Sequence, residues 1–274
     1  MNNEEADIMK NNNTESIPKI IHYCWFGNGE KSKVLKRCIR SWKKKCPDYR
    51  IIEWNESNCD ISALPIYVQQ AYENKKWAFV SDYVRLKVVY ENGGVYLDTD
   101  VQLIKNIDHL LNNHAFFGFE NKEFINTGLG FGAVPFSEIV RKLMDDYLNI
   151  QFVIEGEMDL TSCPRRNIHV FLDYGLQQNG KKQRLKDGTI VLSPDFMCPI
   201  DYYWNIHFTR STVSIHWFAE TWRTKQESKK MMEKRIDYVL HSPNRALKLI
   251  LGEKKYMKLK NSKKKILKLL ERIK

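Results

Sequence analysis

Residues 77–101, WAFVSDYVRLKVVYENGGVYLDTDV, constrain the fold more than any other stretch. Trp77, Val80, Val84, Val88 and Glu91 step at helical spacing, and Ala78, Leu86 and Val89 widen the apolar stripe. That periodicity predicts a largely buried helix. Asn92-Gly93-Gly94 ends it, because glycine readily takes the left-handed conformation that closes helices. Val95-Tyr96-Leu97 then reads as a short buried strand running into Asp98-Thr99-Asp100.

Side chains two apart project to one side of an extended strand. Where the strand opens into a loop, Asp98 and Asp100 can therefore share a cation. Hard oxygen donors suit Mg²⁺ or Mn²⁺, which bind substrate phosphates while keeping some water. An isolated D-x-D also describes a solvated turn, so the surrounding pattern decides. Asp82 and Arg85 lie three apart on the upstream helix and share a face. On an otherwise apolar helix both need partners, either each other in a structural ion pair or a ligand.

The remaining segments supply an α/β frame. Ile17 to Gly27 reads as a first buried strand ending in a glycine loop. In an open α/β sheet ligands bind beyond the carboxyl ends of strands, which makes Trp25 and Gly27 candidates to meet a flat base. Residues 34–45 form an amphipathic helix with Leu35, Cys38, Ile39 and Trp42 inside, 50–55 a strand, and 64–74 a helix. Asn55, at that strand's end, suits an Asn turn or a nucleotide contact. The order strand, helix, strand, helix, helix, strand predicts a nucleotide-binding α/β fold with a mainly parallel sheet.

Further on, Ala115 to Glu120 predicts a strand. Gly128, Gly130 and Gly132 mark a segment lining a ligand pocket, since G-x-G-x-G lacks the dinucleotide-binding spacing. Helices are expected from a Ser137 cap to Asn149 and from Thr161 to Tyr174, and a strand and loop over 188–199. His216 falls on a late strand within the stretch Ser214 to Trp222. It is either a satisfied core histidine or a ligand.

The chain carries 44 Lys/Arg against 33 Asp/Glu, a formal charge of +11. Residues 225–274 hold 17 of those basic residues and 5 of the acidic ones, so the basicity belongs to the tail. Leu259, Ile266, Leu270 and Ile273 form an apolar stripe there, flanked by Lys260, Lys263, Lys264, Lys265 and Lys268, the pattern of a helix lying on an anionic bilayer. Without an aromatic RNA-binding motif or a helix-turn-helix, the charge does not argue for nucleic acid. The six cysteines lack a C-x-x-C pair, which argues against a zinc site and for free thiols in a reducing compartment. No apolar run reaches the roughly 20 residues that span a bilayer, and residues 1–16 lack a signal-peptide core. The expected organisation is a disordered segment over 1–16, a catalytic domain over 17–224 and a basic helical tail over 225–274. The expected location is cytoplasmic, on the inner face of the cell membrane where the tail binds it.

Ser81-Asp82-Tyr83-Val84-Arg85 followed by Gly93-Gly94-Val95-Tyr96-Leu97-Asp98-Thr99-Asp100 resembles the S-D-x-x-R…G-G-x-Y-x-D-x-D pattern of glycosyltransferase family 32, relatives of the large clostridial glucosylating toxins. IPKIIHYCWFG at 17–27 is similar to that family's opening motif, and His216 with Trp222 to its closing H-x-x-x-x-x-W. Ser162-Cys163 departs from a glycine in the family's T-G-P segment. The resemblance implies a GT-A fold, a UDP-sugar donor and retention of anomeric configuration. It also implies Asp98, Asp100 and His216 at a Mn²⁺ or Mg²⁺ ion, Asp82 and Arg85 orienting the sugar, and Trp25, Gly27, Tyr96, Asn126 and Trp222 around the donor. The acceptor implied is a glycan or lipid-linked glycan of surface polysaccharide synthesis. Two rivals remain at this point. One is a haloacid-dehalogenase-like phosphohydrolase using Asp98, although its motif usually stands near the N-terminus. The other is a non-catalytic sugar-nucleotide-binding protein.

Overall fold

The computed structural model describes residues 16–201, 205–219, 251–252, 255–258 and 261–262. In chain order the elements are β1 (Ile20–Cys24), α1 (Lys33–Lys45), β2 (Arg50–Trp54), α2 (Ile66–Glu73), α3 (Trp77–Asn92), β3 (Gly94–Tyr96), β4 (Val101–Leu103), β5 (Ala115–Gly118) and β6 (Phe131–Ala133). They continue with α4 (Glu138–Asp145), β7 (Val153–Ile154), β8 (Glu157–Met158), α5 (Cys163–Asp173), β9 (Gln183–Arg184), β10 (Ile190–Leu192), α6 (Pro194–Met197) and β11 (Ser214–His216). These residues divide into two units, one of 16–199 and 208–219, the other of 200–201, 205–207 and the described residues beyond 250.

In the first unit the main sheet runs β2-β1-β3-β6-β5-β10-β9. β1 is parallel to both β2 and β3, and β5 is parallel to β10. β6 lies antiparallel between β3 and β5, so β2, β1, β3, β5 and β10 all point the same way. This is the mixed, mainly parallel sheet implied by the GT-A resemblance. The chain leaves β1 for β2 on one side and returns to β3 on the other. Such a switch point opens a crevice outside the carboxyl ends of the two strands, and the Asp98-Thr99-Asp100 segment follows β3 directly into it.

Apolar alternation explains the layers. Val95 and Leu97 join a cluster with Trp42, Val101 and Leu103, whereas Tyr96 between them joins Val80, Val84 and Val88 of α3 on the other face. Helix α3 is apolar nearly all round because it packs against α2, α4 and β1 together. Gly93 closes it at φ 63°, its N–H bonded to the Val89 carbonyl at 2.8 Å, and Gly94 follows at φ 103°. Helix α1 starts at Ser32, whose Oγ accepts from Leu35 N at 3.4 Å, and ends in Lys43, Lys44 and Lys45, favourably placed for its dipole.

Two expectations change, at Ser137 and at the glycine segment, and of the two readings of Asn55 the turn is the one found. Ser137 precedes α4 but makes no capping bond with its side chain; only its carbonyl serves, accepting from Arg141 N at 3.0 Å. Asn55 is an Asn turn, its Oδ1 accepting from the Ser57 amide at 2.9 Å and hydroxyl at 2.6 Å. Gly130 and Gly132 pack the interior: a Cβ would meet the Met197 methyl at 2.6 Å at the first and the Phe116 ring at 2.6 Å at the second. Only Gly128 of the three faces the polar cluster described below. All six cysteines are free.

In the second unit, Ile200 and Ile206 form an isolated antiparallel bridge, and the described residues beyond 250 are helical. The expected boundary at 224/225, residues 1–15, Trp222 and the apolar stripe of the tail lie outside the described residues. Among the described residues no helix is long and apolar enough to cross a membrane.

Candidate functional site

The two aspartates converge through a turn and not through strand alternation. β3 stops at Tyr96, and Val101 N bonds back to the Asp98 carbonyl at 2.9 Å, folding 98–101 into a turn before β4. β4 then pairs antiparallel with β11, setting His216 opposite Val101, one residue beyond Asp100. Consequently His216 Nε2 lies 3.2 Å from Asp100 Oδ1. The chain continues through Phe218, a non-glycine residue at φ 49°, which turns the Ala219 N–H onto Asp100 Oδ2 at 2.8 Å. A strained conformation of this kind costs on the order of 1 kcal/mol or more and persists where surrounding contacts hold it.

Asp98, Asp100 and His216 each offer a ligand atom within 4.8 Å of the others. Asp98 retains 27% of its side-chain exposure, Asp100 12% and His216 9%. His216 Nε2 is the nitrogen beside Asp100, and its Nδ1 is buried without a hydrogen-bond partner. Three carboxylates, counting Asp82, face one guanidinium and one imidazole, an excess of negative charge that a divalent cation would balance. The donor set and charge therefore fit Mg²⁺ or Mn²⁺.

Arg85 organises the other side. Its Nη2 lies 3.0 Å from Asp82 Oδ1 and 3.4 Å from Asp98 Oδ1; its Nε donates to the Ser81 carbonyl at 3.1 Å and its Nη1 to Thr127 Oγ1 at 3.3 Å. The ion pair and the partners expected for Asp82 and Arg85 are thus both present. Burial pushes the Asp82 carboxyl up against the opposing pull of Arg85. Burial also raises Asp98, again with Arg85 opposing it. For Asp100 burial acts upward, but the charge and hydrogen bond of His216 prevail and hold it below the usual carboxylate range. His216 shows the converse: burial would lower it, and Asp100 raises it.

Tyr96 departs from expectation. It is 1% exposed, packed with its ring centroid 6.1 Å from that of Phe131 and 5.1 Å from the Arg85 guanidinium, so it cannot stack on a sugar or ribose. Its hydroxyl instead donates to Asp98 Oδ1 at 2.9 Å, holding that carboxylate. Asn126 is also engaged, its Oδ1 accepting from Gly128 N at 2.7 Å and its Nδ2 donating to Glu120 Oε2 at 2.6 Å. Trp25 is half-buried; its indole N–H bonds to the Gly29 carbonyl at 2.7 Å, and Lys31 Nζ lies 5.0 Å from its ring. Gly27 makes room for Trp77, whose indole would be 2.5 Å from a Cβ there, and its N–H bonds to Glu56 Oε1 at 2.6 Å.

Three further residues contribute beyond those assigned to the ion or the donor from sequence, Gly128 among them having been read only as part of a pocket-lining segment. A Cβ on Gly128 would lie 2.3 Å from Asp98 Oδ2 and 3.2 Å from Arg85 Nη1. Cys163, the departure from T-G-P, places its thiol 3.9 Å from Arg85 Nη1 and 3.7 Å from Thr127 Oγ1. Glu120 follows β5 at the carboxyl end of the sheet and acts electrostatically on His216. The departure at Cys163 was a readable signal, whereas the other two depend on contacts between distant segments.

Comparison with known proteins bears on this geometry directly. Residues 32–117 match the family described as "Glycosyltransferase sugar-binding region containing DXD motif". The chain is 32% identical over 151 residues to inositol phosphoceramide mannosyltransferase 3 of Schizosaccharomyces pombe, covering 52% of this chain and 41% of that protein. It is 26% identical over 131 residues to the initiation-specific alpha-1,6-mannosyltransferase of Candida albicans, covering 44% and 34%. It thus spans well under half the length of these two relatives. Among solved structures it is similar to the PaToxG glycosyltransferase, with TM-score 0.47, 19% identity and coverage of 58% of this chain and 70% of that one. The matched region contains Asp82, Arg85, Asp98 and Asp100 together, and over residues 32–117 the chain is similar to the glycosyltransferases with a DXD-containing sugar-binding region.

Proposed function

We propose that the protein is a metal-dependent glycosyltransferase that moves a hexose or N-acetylhexosamine from a nucleoside diphosphate donor, UDP by preference, to a glycan or lipid-linked glycan. The observation that carries this reading is the convergence of Asp98, Asp100 and His216 beside the Asp82–Arg85 pair, at the carboxyl end of β3 in the DXD-matched region. The names of the two curated relatives add mannose to the candidate donor sugars.

In this reading Asp98, Asp100 and His216 hold Mn²⁺ or Mg²⁺, which when bound neutralises charge on the departing diphosphate. Tyr96 and Arg85 hold Asp98 in place. The Ala219 N–H and His216 do the same for Asp100, so the carboxylates are oriented before donor arrives. Asp82 pairs with Arg85 beside Asp98. Support for a front-face, retaining displacement is the resemblance alone; ¹H NMR of the new linkage decides it, and an inverted anomer would overturn it.

The first test is release of nucleoside diphosphate from donors bearing glucose, galactose, their N-acetyl forms or mannose, with and without Mn²⁺. Metal-dependent release that is lost in Asp100→Asn is expected. Hydrolysis of a simple phosphate ester, with no donor bound, would favour the phosphohydrolase instead. The basic character of residues 225–274 supports peripheral attachment to an anionic cytoplasmic membrane face. Flotation with anionic liposomes should then weaken on removal of residues 253–274, and unchanged flotation would sink that part.

A further inference from the structure

We propose that a cation-lined cavity beside β10, separate from the aspartate cluster, binds a phosphate monoester or diphosphate. The cavity has a volume of about 720 Å³, within the range of small-molecule sites. Lys105, Lys182, Arg184, Arg210 and His109 line it with Phe196, and no Asp or Glu is among its lining residues.

The contacts of these side chains hold them without neutralising them. Lys105 Nζ donates to the Arg210 carbonyl, and Arg184 Nη1 donates to the Gly188 carbonyl at 2.8 Å. Lys182 Nζ lies 5.7 Å from the Phe196 ring centroid. Arg210 rides on a turn that is itself anchored. Thr209 N donates to Thr212 Oγ1 at 2.9 Å, and Ser211 N donates to Thr209 Oγ1 at 3.1 Å. Thr212 Oγ1 donates to the Asp195 carbonyl at 2.7 Å, tying the turn to α6. The Asp195 carboxylate is occupied by the Ser193 and Thr209 hydroxyls and does not reach the lining. Burial first, then Lys182 and Lys105, hold His109 below its ordinary value against the opposing charge of Asp108.

The four cationic side chains are exposed at the cavity, where an anion entering it can accept from them. Two guanidinium groups favour an acceptor with several oxygens in a plane or tripod, and two ammonium groups add charge without geometry. A phosphate monoester or diphosphate satisfies both better than a single carboxylate. None of these residues belongs to the Asp98–Asp100–His216 cluster, so the inference stands whether or not the transferase reading does. The ligand is either a soluble phosphate compound or the headgroup of a phospholipid.

The test is titration calorimetry of the full chain with inorganic pyrophosphate in EDTA, with flotation on phosphatidylcholine vesicles containing phosphatidic acid in parallel. Wild type, Arg184→Gln/Arg210→Gln and Asp98→Asn/Asp100→Asn are compared. Pyrophosphate should bind wild type and the aspartate pair alike, and about tenfold more weakly or not at all to the arginine pair. Flotation reduced in the arginine pair would also support the site and identify a lipid headgroup as the source. If the arginine pair changed neither pyrophosphate binding nor flotation, the proposal would fail.

Discussion

At Gly128 the absence of a single carbon decides whether Asp98 can stand where it does. An added Cβ would come within 2.3 Å of Asp98 Oδ2, while the backbone there lies outside the left-handed region and tolerates alanine. Gly128→Ala should therefore fold normally and displace the carboxylate. A misplacement of about 1 Å at a reacting site can cost on the order of 100-fold, and a loss of that order in kcat/KM for nucleoside diphosphate release is expected. Gly29→Ala, whose Cβ would meet nothing within 4 Å, serves as the control. Equal activity in both variants would refute the positioning role of Gly128. The residue types at this site were legible in the sequence, because carboxylates and an arginine in an apolar helix-to-strand passage need partners. Their contacts were not: Tyr96 looked available to a ligand, yet the period-2 pattern that made β3 a strand also turned its ring into the core.

Between elements, the small β4–β11 sheet carries the geometry that local periodicity could not announce. Its partners lie more than 100 residues apart, as with Leu103 and Ser214, and each strand is only three residues long. Main-sheet strands and helices were readable because each has its own apolar period; this pairing has none and follows only from folding the whole chain. Helix α1 supports it from outside. Trp42 Nε1 donates to the buried Val101 carbonyl at 2.7 Å, and Ser41 Oγ accepts from Leu103 N at 2.9 Å. Trp42→Phe keeps most of the buried ring and leaves that carbonyl without its donor, which costs about 1–3 kcal/mol. The expected result is a lower guanidinium midpoint with an unchanged slope. A midpoint equal to wild type would show that β4 is held without α1.

For the molecule as a whole, acid stability should depend on one histidine buried within the main sheet. His22 is fully buried on β1, between β2 and β3. Its Nε2–H donates to the Gly93 carbonyl at 2.8 Å, and its Nδ1 accepts from Trp54 Nε1 at 3.0 Å. That arrangement satisfies the neutral ring on both nitrogens and leaves no acceptor for a second proton. Burial accordingly lowers its pKa to about 4. The unfolded chain protonates this histidine near the ordinary value of about 6.5, and the folded chain only near 4, so between these values the unfolded state binds more protons. Stability is therefore complete above about pH 6.5 and falls as the pH drops toward 4, by about 3 kcal/mol in total for this group. Below that both states carry the proton and the loss stops. His22→Gln retains a donor and an acceptor and cannot titrate. Unfolding free energies measured from pH 7.5 to 4.5 should decline less steeply in His22→Gln than in wild type, by up to about 1.4 kcal/mol per pH unit. Parallel declines would mean that the acid sensitivity of the sheet lies in its carboxylates and that His22 accepts its second proton without opening the β1–β3 junction.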